Sequence, residues 1–257
     1  LNLVPIDRYN FNAFANYELF PGHTIFFEGT YGRTTTSSDL EPFPLDSDDI
    51  YGVTEQVGAI LGVPGGIPVT NPYIPRAMLD LLGARVGIVN PNLLPRANLV
   101  ALLAANPNAA GIGFARRMTE LGNRGSDADR YTARFVLGVE GEIADGWAYE
   151  VSYNRGYTKD DQIGGGQINV LNMRQSLDSV DDGFGNIVCR DLVAQAQGCV
   201  PVDLFSSPGG VAGTWTQAQI NWLLARPFRN VVIEQEVIEA SVTGSLFEIP
   251  GGPVQVA

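Results

Sequence analysis

Residues with catalytic or metal-binding chemistry are scarce in this sequence. Its 257 residues include one histidine, His23, two cysteines and one lysine, Lys159. Two cysteines and a distant histidine are too few for a structural zinc site. The sequence also lacks the Gly-x-Ser-x-Gly and His-x-x-Glu-His motifs of hydrolases and metalloproteases. We therefore predict neither an enzyme nor a bound cofactor.

Positive charge and long apolar runs are also in short supply. There are 28 acidic and 16 basic side chains, which gives a formal charge of −12. Nucleic acids attract basic surfaces, so we exclude nucleic acid as a partner. The longest apolar run, residues 99–105, is far shorter than the roughly 20 residues of a membrane-spanning helix. The 30 glycines and 16 prolines follow no period and indicate many turns.

The two cysteines, Cys189 and Cys199, lie ten residues apart. A disulfide that closes this short loop would suit an oxidising compartment such as a periplasm or a cell surface. The alternative is a pair of unrelated reduced thiols. No signal peptide is visible and the first residue is leucine, so we expect an internal piece of a longer protein.

Alternation of apolar and polar residues with period two predicts six β-strands. In the third of them, Tyr131 and Leu137 share the apolar face, whereas Thr132 and Arg134 share the polar face. Phe26 breaks the alternation of the second strand. The predicted strands cover about residues 8–20, 24–34, 131–143, 147–157, 232–249 and 253–257.

The connections between these strands are alternately tight and very long. Tight three-residue loops are predicted at 21–23, 144–146 and 250–252, and long loops at about 35–130 and 158–231. A three-residue loop pairs Ile143 with Trp147, and it pairs Leu19 with Ile25 in the first hairpin. Gly146 supplies the left-handed conformation that such a loop favours.

Strand length and aromatic content favour lipid over water on the apolar face. The predicted strands reach 11 residues or more, beyond the globular mode of about 5 or 6, and they cover the roughly 9 to 11 residues that cross a bilayer at a tilt. Aromatic residues such as Tyr9, Tyr31 and Tyr131 mark strand ends, as interfacial girdles do. On this prediction Leu137 faces lipid, and Gly138→Arg should be tolerated better than Leu137→Arg if the lumen has room.

The predicted fold class is therefore all-β. We expect an antiparallel meander that forms part of a transmembrane β-barrel, with two long extracellular loops. These loops contain helix-like stretches at residues 74–85, 91–106 and 216–225, which we expect to be short packing helices rather than membrane helices. A soluble β-sandwich is the alternative fold.

The second long loop holds the candidate site residues. Asp178, Asp181 and Asp182 are weak candidates for calcium ligands, and the alternative is that these carboxylates are simply solvated. Amides and aromatic ring faces suit a sugar or a polar chelate, although a tryptophan could equally pack its own helix. The possible solute contacts are Gln195, Gln197, Trp215 and Trp222.

Several stretches of the sequence are similar to segments of a known protein family. They are Asp7–Ala15 (DRYNFNAFA), Phe26–Tyr31 (FFEGTY), Arg116–Arg124 (RRMTELGNR), Asp129–Gly138 (DRYTARFVLG), Asp181–Arg190 (DDGFGNIVCR) and Gly198–Phe205 (GCVPVDLF). Through these stretches nearly the whole chain resembles the barrel region of TonB-dependent outer-membrane receptors, in the style common in alphaproteobacteria.

The resemblance implies energy-coupled uptake of a scarce solute, such as a siderophore, a cofactor or an oligosaccharide. It implies a location in the outer membrane of a Gram-negative bacterium. The partners would be outer-membrane lipid, a small solute and a TonB-type energy-coupling protein. Residues 1–257 would form one partial β-barrel domain, and the plug domain that contacts the TonB-type protein is expected outside this sequence. A soluble or surface-anchored β-rich binding module with no transport role is the alternative function.

Overall fold

The computed structural model describes residues 4–51, 65–109, 111–206 and 215–257. Its internal contacts divide the chain into two compact units. The first, which we call the sheet unit, comprises residues 1–39, 126–164 and 228–257. The second, the connector unit, comprises residues 40–125 and 165–227.

Strands are the main regular structure of the described residues, and short helices are confined to the connector unit. The strands are β1 (Ile6–Phe20), β2 (His23–Pro42), β3 (Pro44–Asp46), β4 (Ile67–Pro68), β5 (Gly111–Ile112), β6 (Ala115–Arg117), β7 (Asn123–Ala144), β8 (Trp147–Gly165), β9 (Gln167–Ile168), β10 (Ser179–Asp181), β11 (Ile187–Cys189), β12 (Leu224–Ala225), β13 (Phe228–Ile249) and β14 (Gly252–Val256). The α-helices are α1 (Ser47–Tyr51), α2 (Arg76–Arg85), α3 (Arg96–Ala104), α4 (Val170–Leu177), α5 (Leu192–Ala196) and α6 (Gln217–Leu223), with single 3₁₀ turns at Pro91–Leu93 and Thr119–Leu121.

One large antiparallel sheet with the strand order β1-β2-β7-β8-β13-β14 forms the sheet unit. All six predicted strands are present in it, but several are longer than predicted. The long connections are therefore shorter than the predicted 35–130 and 158–231, and they cover about residues 43–122 and 166–227. The additional length of the strands is not predicted because stretches such as residues 34–38 (TTTSS) are polar on both faces. Such stretches lack the alternation of apolar and polar residues that predicts a strand.

The first hairpin differs from its predicted register by two residues. Ile25 pairs with Tyr17, whereas the prediction placed it opposite Leu19. The turn contains only Pro21 and Gly22, and the register shifts between Glu18 and Phe20, as a β-bulge would produce. A shift of two residues keeps the remaining side chains on their predicted faces, because the side-chain period of a strand is two.

The other two tight turns also contain two residues, Asp145–Gly146 and Pro250–Gly251, where three were predicted. Gly146 has the predicted left-handed conformation, with φ at 75°. The hydroxyls of Thr132 and Thr158 lie 3.1 Å apart, and the predicted register of the second hairpin places these two residues opposite one another.

The two long connections pack around a shared hydrophobic core in the connector unit. The first connection contributes buried side chains such as Leu79 and Leu99, and the second contributes Met173 and Leu177. The three predicted helical stretches are confirmed as α2, α3 and α6. No helix among the described residues is both long and apolar enough to cross a bilayer.

Candidate functional site

The sheet unit has one apolar face on which large side chains remain exposed. On this face Tyr17 pairs with Ile25, and Tyr153 pairs with Ile238, which is 78% exposed. An antiparallel sheet in a soluble protein packs one face on a core. This face therefore lacks the apolar environment that its composition requires. Its other large exposed side chains include Tyr9, Phe11, Phe27, Tyr31, Phe135, Leu137, Ile143, Val151 and Val242.

A row of tyrosines crosses this face at the end away from the tight turns. Tyr9, Tyr31, Tyr131 and Tyr157 belong to β1, β2, β7 and β8, which are successive neighbours in the sheet. The ring centroids of Tyr31 and Tyr131 lie 6.4 Å apart, and those of Tyr131 and Tyr157 lie 5.7 Å apart. A tyrosine has an apolar ring and a polar hydroxyl, which suits it to a boundary between apolar and wet surroundings.

Charged side chains replace apolar ones immediately beyond the tyrosine row. The Arg33 guanidinium donates two hydrogen bonds to Asp129, at 2.9 and 2.6 Å. The ammonium group of Lys159 lies 2.5 Å from the carboxylate of Asp161. In β2 and β7 this face therefore changes from apolar to ionic within two residue positions, whereas in β8 and β13 the ion pair Arg155–Glu236 already lies on this face on the turn side of Tyr157.

Aromatic rings pack over glycines at the turn end of the apolar face. His23, the only histidine, lies with Nδ1 3.0 Å from the Tyr149 hydroxyl. A Cβ atom at Gly141 would overlap the His23 ring, and one at Gly244 would overlap the Trp147 ring. His23 therefore has a packing partner and a hydrogen-bond partner in the hairpin ends.

Phe26 breaks the alternation of β2 because its ring packs over a glycine on the polar face. A Cβ atom at Gly138 would overlap this ring. The aromatic side chain fills the space that the missing side chain leaves, as aromatic residues do beside strand glycines in designed sheets. An arginine at Gly138 would therefore require the Phe26 ring to move.

Cys189 and Cys199 form the predicted disulfide. Their sulfur atoms are 1.99 Å apart and their Cα atoms are 6.3 Å apart, within the usual range for a disulfide. The bond joins the end of β11 to the chain just after α5. Gln195 strengthens this connection, because its Nε2 donates to the Cys189 carbonyl oxygen at 2.6 Å.

The three candidate calcium ligands are engaged within the protein. Asp178 accepts a hydrogen bond from Arg190 at 2.8 Å. Asp181 and Asp182 accept hydrogen bonds from backbone N–H groups of the turn between β10 and β11. Hydrogen bonds to the Asp182 carboxylate hold its pKa below the usual value. The Asn186 side chain makes the largest contribution, and backbone N–H groups make smaller ones. Within the described ranges, no group of three or more His, Cys, Asp or Glu residues could hold a metal ion.

The four possible solute contacts are not gathered on one surface. Trp215 is only 6% exposed and belongs to the hydrophobic core of the connector unit. Trp222 packs against this core, and its Nε1 donates to the Asn172 carbonyl oxygen at 3.2 Å. Gln195 is bonded to the Cys189 carbonyl, which leaves Gln197 as the one exposed member of the four. The packing alternative fits both tryptophans, and the prediction that they contact solute finds no support.

A cluster that the sequence analysis missed lies on the polar face of the sheet. Nη2 of Arg130 donates to Oδ2 of Asp160 at 2.8 Å, and Nη2 of Arg229 donates to the same oxygen. The predicted strands ended just short of all three residues, so they were assigned to loops. Period-two counting continued outward from Thr132 and Thr158 would have placed Arg130 and Asp160 on the polar face.

No protein-family model, curated protein or solved structure matches this chain. The function is therefore inferred from the two faces of the sheet and from the residues that carry them.

Proposed function

We propose that the sheet is a section of the wall of a transmembrane β-barrel in the outer membrane of a Gram-negative bacterium. The protein would be a receptor for the energy-coupled uptake of a scarce solute. The observation that carries this proposal is the exposed apolar face with the tyrosine row at its edge. Exposure of apolar surface to water costs about 25 cal/mol per Å², and lipid acyl chains would remove that cost.

The height of the apolar face fits a bilayer. Twelve residue steps separate Tyr131 from Ile143 in β7, which is about 40 Å along the strand at 3.3 Å per residue. A strand tilted by about 45° would then span roughly 28 Å, close to the apolar band of about 25 Å in outer-membrane barrels. The ion pairs Arg33–Asp129 and Lys159–Asp161 would lie in the wet headgroup region beyond this band. Arg155 and Glu236 lie on the same face within the band, where they neutralise each other at 3.2 Å.

The polar face supports an aqueous lumen on the other side of the wall. Arg134 lies 3.7 Å from Glu28 and donates to Asn154 at 3.2 Å. Charged groups of this kind are costly in a dry core unless they are fully paired, whereas a water-filled lumen hydrates them. A sheet with one apolar and one ionic face is the arrangement of transmembrane barrel strands.

The transport role rests on the resemblance of the sequence to TonB-dependent receptors. The partners in this role are outer-membrane lipid, a small solute, and a TonB-type energy-coupling protein that acts through a plug domain. The connector unit would lie on the extracellular side, because outer-membrane barrels have short periplasmic turns and long extracellular loops. The exposed Gln197 stays a candidate for solute contact there.

Alkaline extraction of membranes would test the proposal. The full-length protein that contains this chain would be expressed with its own targeting signal, and its outer-membrane fraction would be washed with sodium carbonate. A barrel stays in the pellet and migrates differently in electrophoresis with and without boiling. Release into the supernatant, with migration that heating does not change, would contradict the membrane assignment.

A soluble or surface-anchored binding module is the second candidate. The observation that favours it is the connector unit, which has its own buried core and the Cys189–Cys199 disulfide. Such a module would be released by the carbonate wash. It would also require a partner for the apolar face of the sheet, and this partner would have to be a protein surface of matching length.

A further inference from the structure

Two arginines share one carboxylate on the polar face of the sheet. The Nη2 atoms of Arg130, in β7, and Arg229, in β13, both donate to Oδ2 of Asp160 in β8, the strand between them. Because both bonds end on the same oxygen, the two guanidinium groups lie side by side. The Asp160 side chain is only 9% exposed, whereas those of Arg130 and Arg229 are 58% and 56% exposed.

The cluster carries an excess of positive charge and has unused hydrogen-bond donors. Two guanidinium groups face one carboxylate, and each guanidinium has five N–H donors. Oδ1 of Asp160 has no hydrogen-bond partner among the described residues, so Asp160 engages the two guanidinium groups through Oδ2 alone and leaves their other N–H groups to different partners.

The groups around the cluster on the same face are neutral or positive. Thr132 and Thr158 contact each other one pleat closer to the tight turns, and Gln162 donates to the Ser126 hydroxyl on the opposite side of the cluster. Arg134, the next charged group along β7, is already close to Glu28. The acidic residues Glu140, Glu142 and Glu150 lie farther toward the turns. The positive cluster therefore contrasts with a chain whose formal charge is −12.

Bracing of the strands does not explain this arrangement. β8 and β13 are already joined by seventeen consecutive residue pairs, from Phe228–Ile163 to Gly244–Trp147. A second arginine on the same oxygen adds repulsion between like charges, which a third, anionic group would relieve.

We infer that Arg130 and Arg229 form a binding site for an oxyanion, such as a phosphate or carboxylate group of the solute. Asp160 is the positioning residue that holds the two guanidinium groups side by side, so that their outward N–H donors can bind two oxygens of one anion. The identification of this anion as part of a transported solute rests on the proposed function. The binding of the anion itself does not.

Protection of the arginines from chemical modification would test the site. The full-length protein, folded in detergent micelles, would be treated with phenylglyoxal in inorganic phosphate or in chloride of equal ionic strength. Mass spectrometry would then give the modification rate at each arginine. We expect phosphate to slow modification of Arg130 and Arg229 at least threefold. Arg117 is the internal control, because it is similarly exposed but belongs to the connector unit, where it pairs with Glu41, and its rate should not change.

The variant Asp160→Asn separates binding from a purely structural role. It keeps the shape of the side chain but weakens the two hydrogen bonds that hold the guanidinium groups side by side, so the phosphate concentration needed for protection should rise severalfold. In Arg130→Gln, phosphate should no longer protect Arg229. If the cluster only braced the strands, Asp160→Asn would speed modification of both arginines, and phosphate would have no effect.

The outcomes also distinguish this inference from the proposed function. Absence of protection, or equal slowing at Arg117, in a protein that resists carbonate extraction would overturn the anion site and leave the membrane assignment intact. Protection at Arg130 and Arg229 in a protein that carbonate releases would support the anion site and contradict the barrel.

Discussion

Arginine substitutions at two adjacent small residues would reveal which face of the sheet meets lipid. Ala240 and Ser241 are neighbours in β13 and lie on opposite faces, because Ala240 pairs with Val151 and Ser241 pairs with Glu150. We expect Ala240→Arg to lower the free energy of unfolding by about 2–4 kcal/mol, the cost of an arginine on the lipid face near the bilayer midplane. Alanine has little apolar surface to lose, so nearly all of this cost would come from the charge.

Two further substitutions of similar size provide the controls. Ser241→Arg places the same charge on the polar face, beside Glu150, and should change the free energy of unfolding by no more than about 0.5 kcal/mol. Ala133→Arg lies on the apolar face only two residues from Tyr131, near the edge of the apolar band. Its cost should fall to about 0–1 kcal/mol, because the penalty decreases toward the interface.

Denaturant unfolding of the full-length protein in lipid vesicles would measure these values, with tryptophan fluorescence as the signal and linear extrapolation to zero denaturant. A cost below about 0.5 kcal/mol for Ala240→Arg would mean that water covers the apolar face, and the membrane reasoning would fail. Equal costs of several kcal/mol for Ala240→Arg and Ser241→Arg would indicate two dry faces, as in a sandwich.

Four other perturbations address the remaining features. Single cysteines at Asp145 and Ser206, in a background without Cys189 and Cys199, should react oppositely with an impermeant reagent on intact cells, and labelling of residue 145 from outside would contradict the topology. Replacement of both native cysteines by serine should destabilise the connector unit by on the order of 3 kcal/mol, measured as faster hydrogen exchange in β10 and β11, and unchanged exchange would refute this role. Gly138→Ala should cost about 1–3 kcal/mol through overlap with Phe26, and the double variant with Phe26→Ala should cost less than the sum of the two single changes in denaturant unfolding. The lowered pKa of Asp182 means that its hydrogen bonds stabilise the turn above the unfolded pKa and are lost as pH falls through the lower folded pKa. Asp182→Ala should therefore increase exchange of the Phe184 amide near neutral pH and have little effect at a pH well below the folded pKa.

Features of the candidate site that join residues close in sequence could be predicted, whereas features that join distant residues could not. The disulfide joins residues ten positions apart, so the spacing of Cys189 and Cys199 was enough to predict it. Trp215 is a candidate solute contact in the sequence because aromatic ring faces suit a sugar or a polar chelate. Its burial depends on core residues such as Leu45 and Met118, which are distant along the chain. Arg130 and Arg229 are separated by almost a hundred residues, and only the pairing of three strands brings them to one carboxylate.

The sequence by itself determined the existence of five long strands and of the short sixth strand, the face that each side chain occupies and the positions of the tight turns. These features depend on the period of two and on local residues such as Gly146, so they can be read without knowledge of the fold. The tertiary structure alone decided the two-residue register shift beside Leu19, the continuation of strands through stretches such as residues 34–38, and the packing of Phe26 over Gly138. Each of these depends on hydrogen bonds or contacts with a neighbouring strand, and the amino-acid pattern of a single strand carries no record of its neighbour.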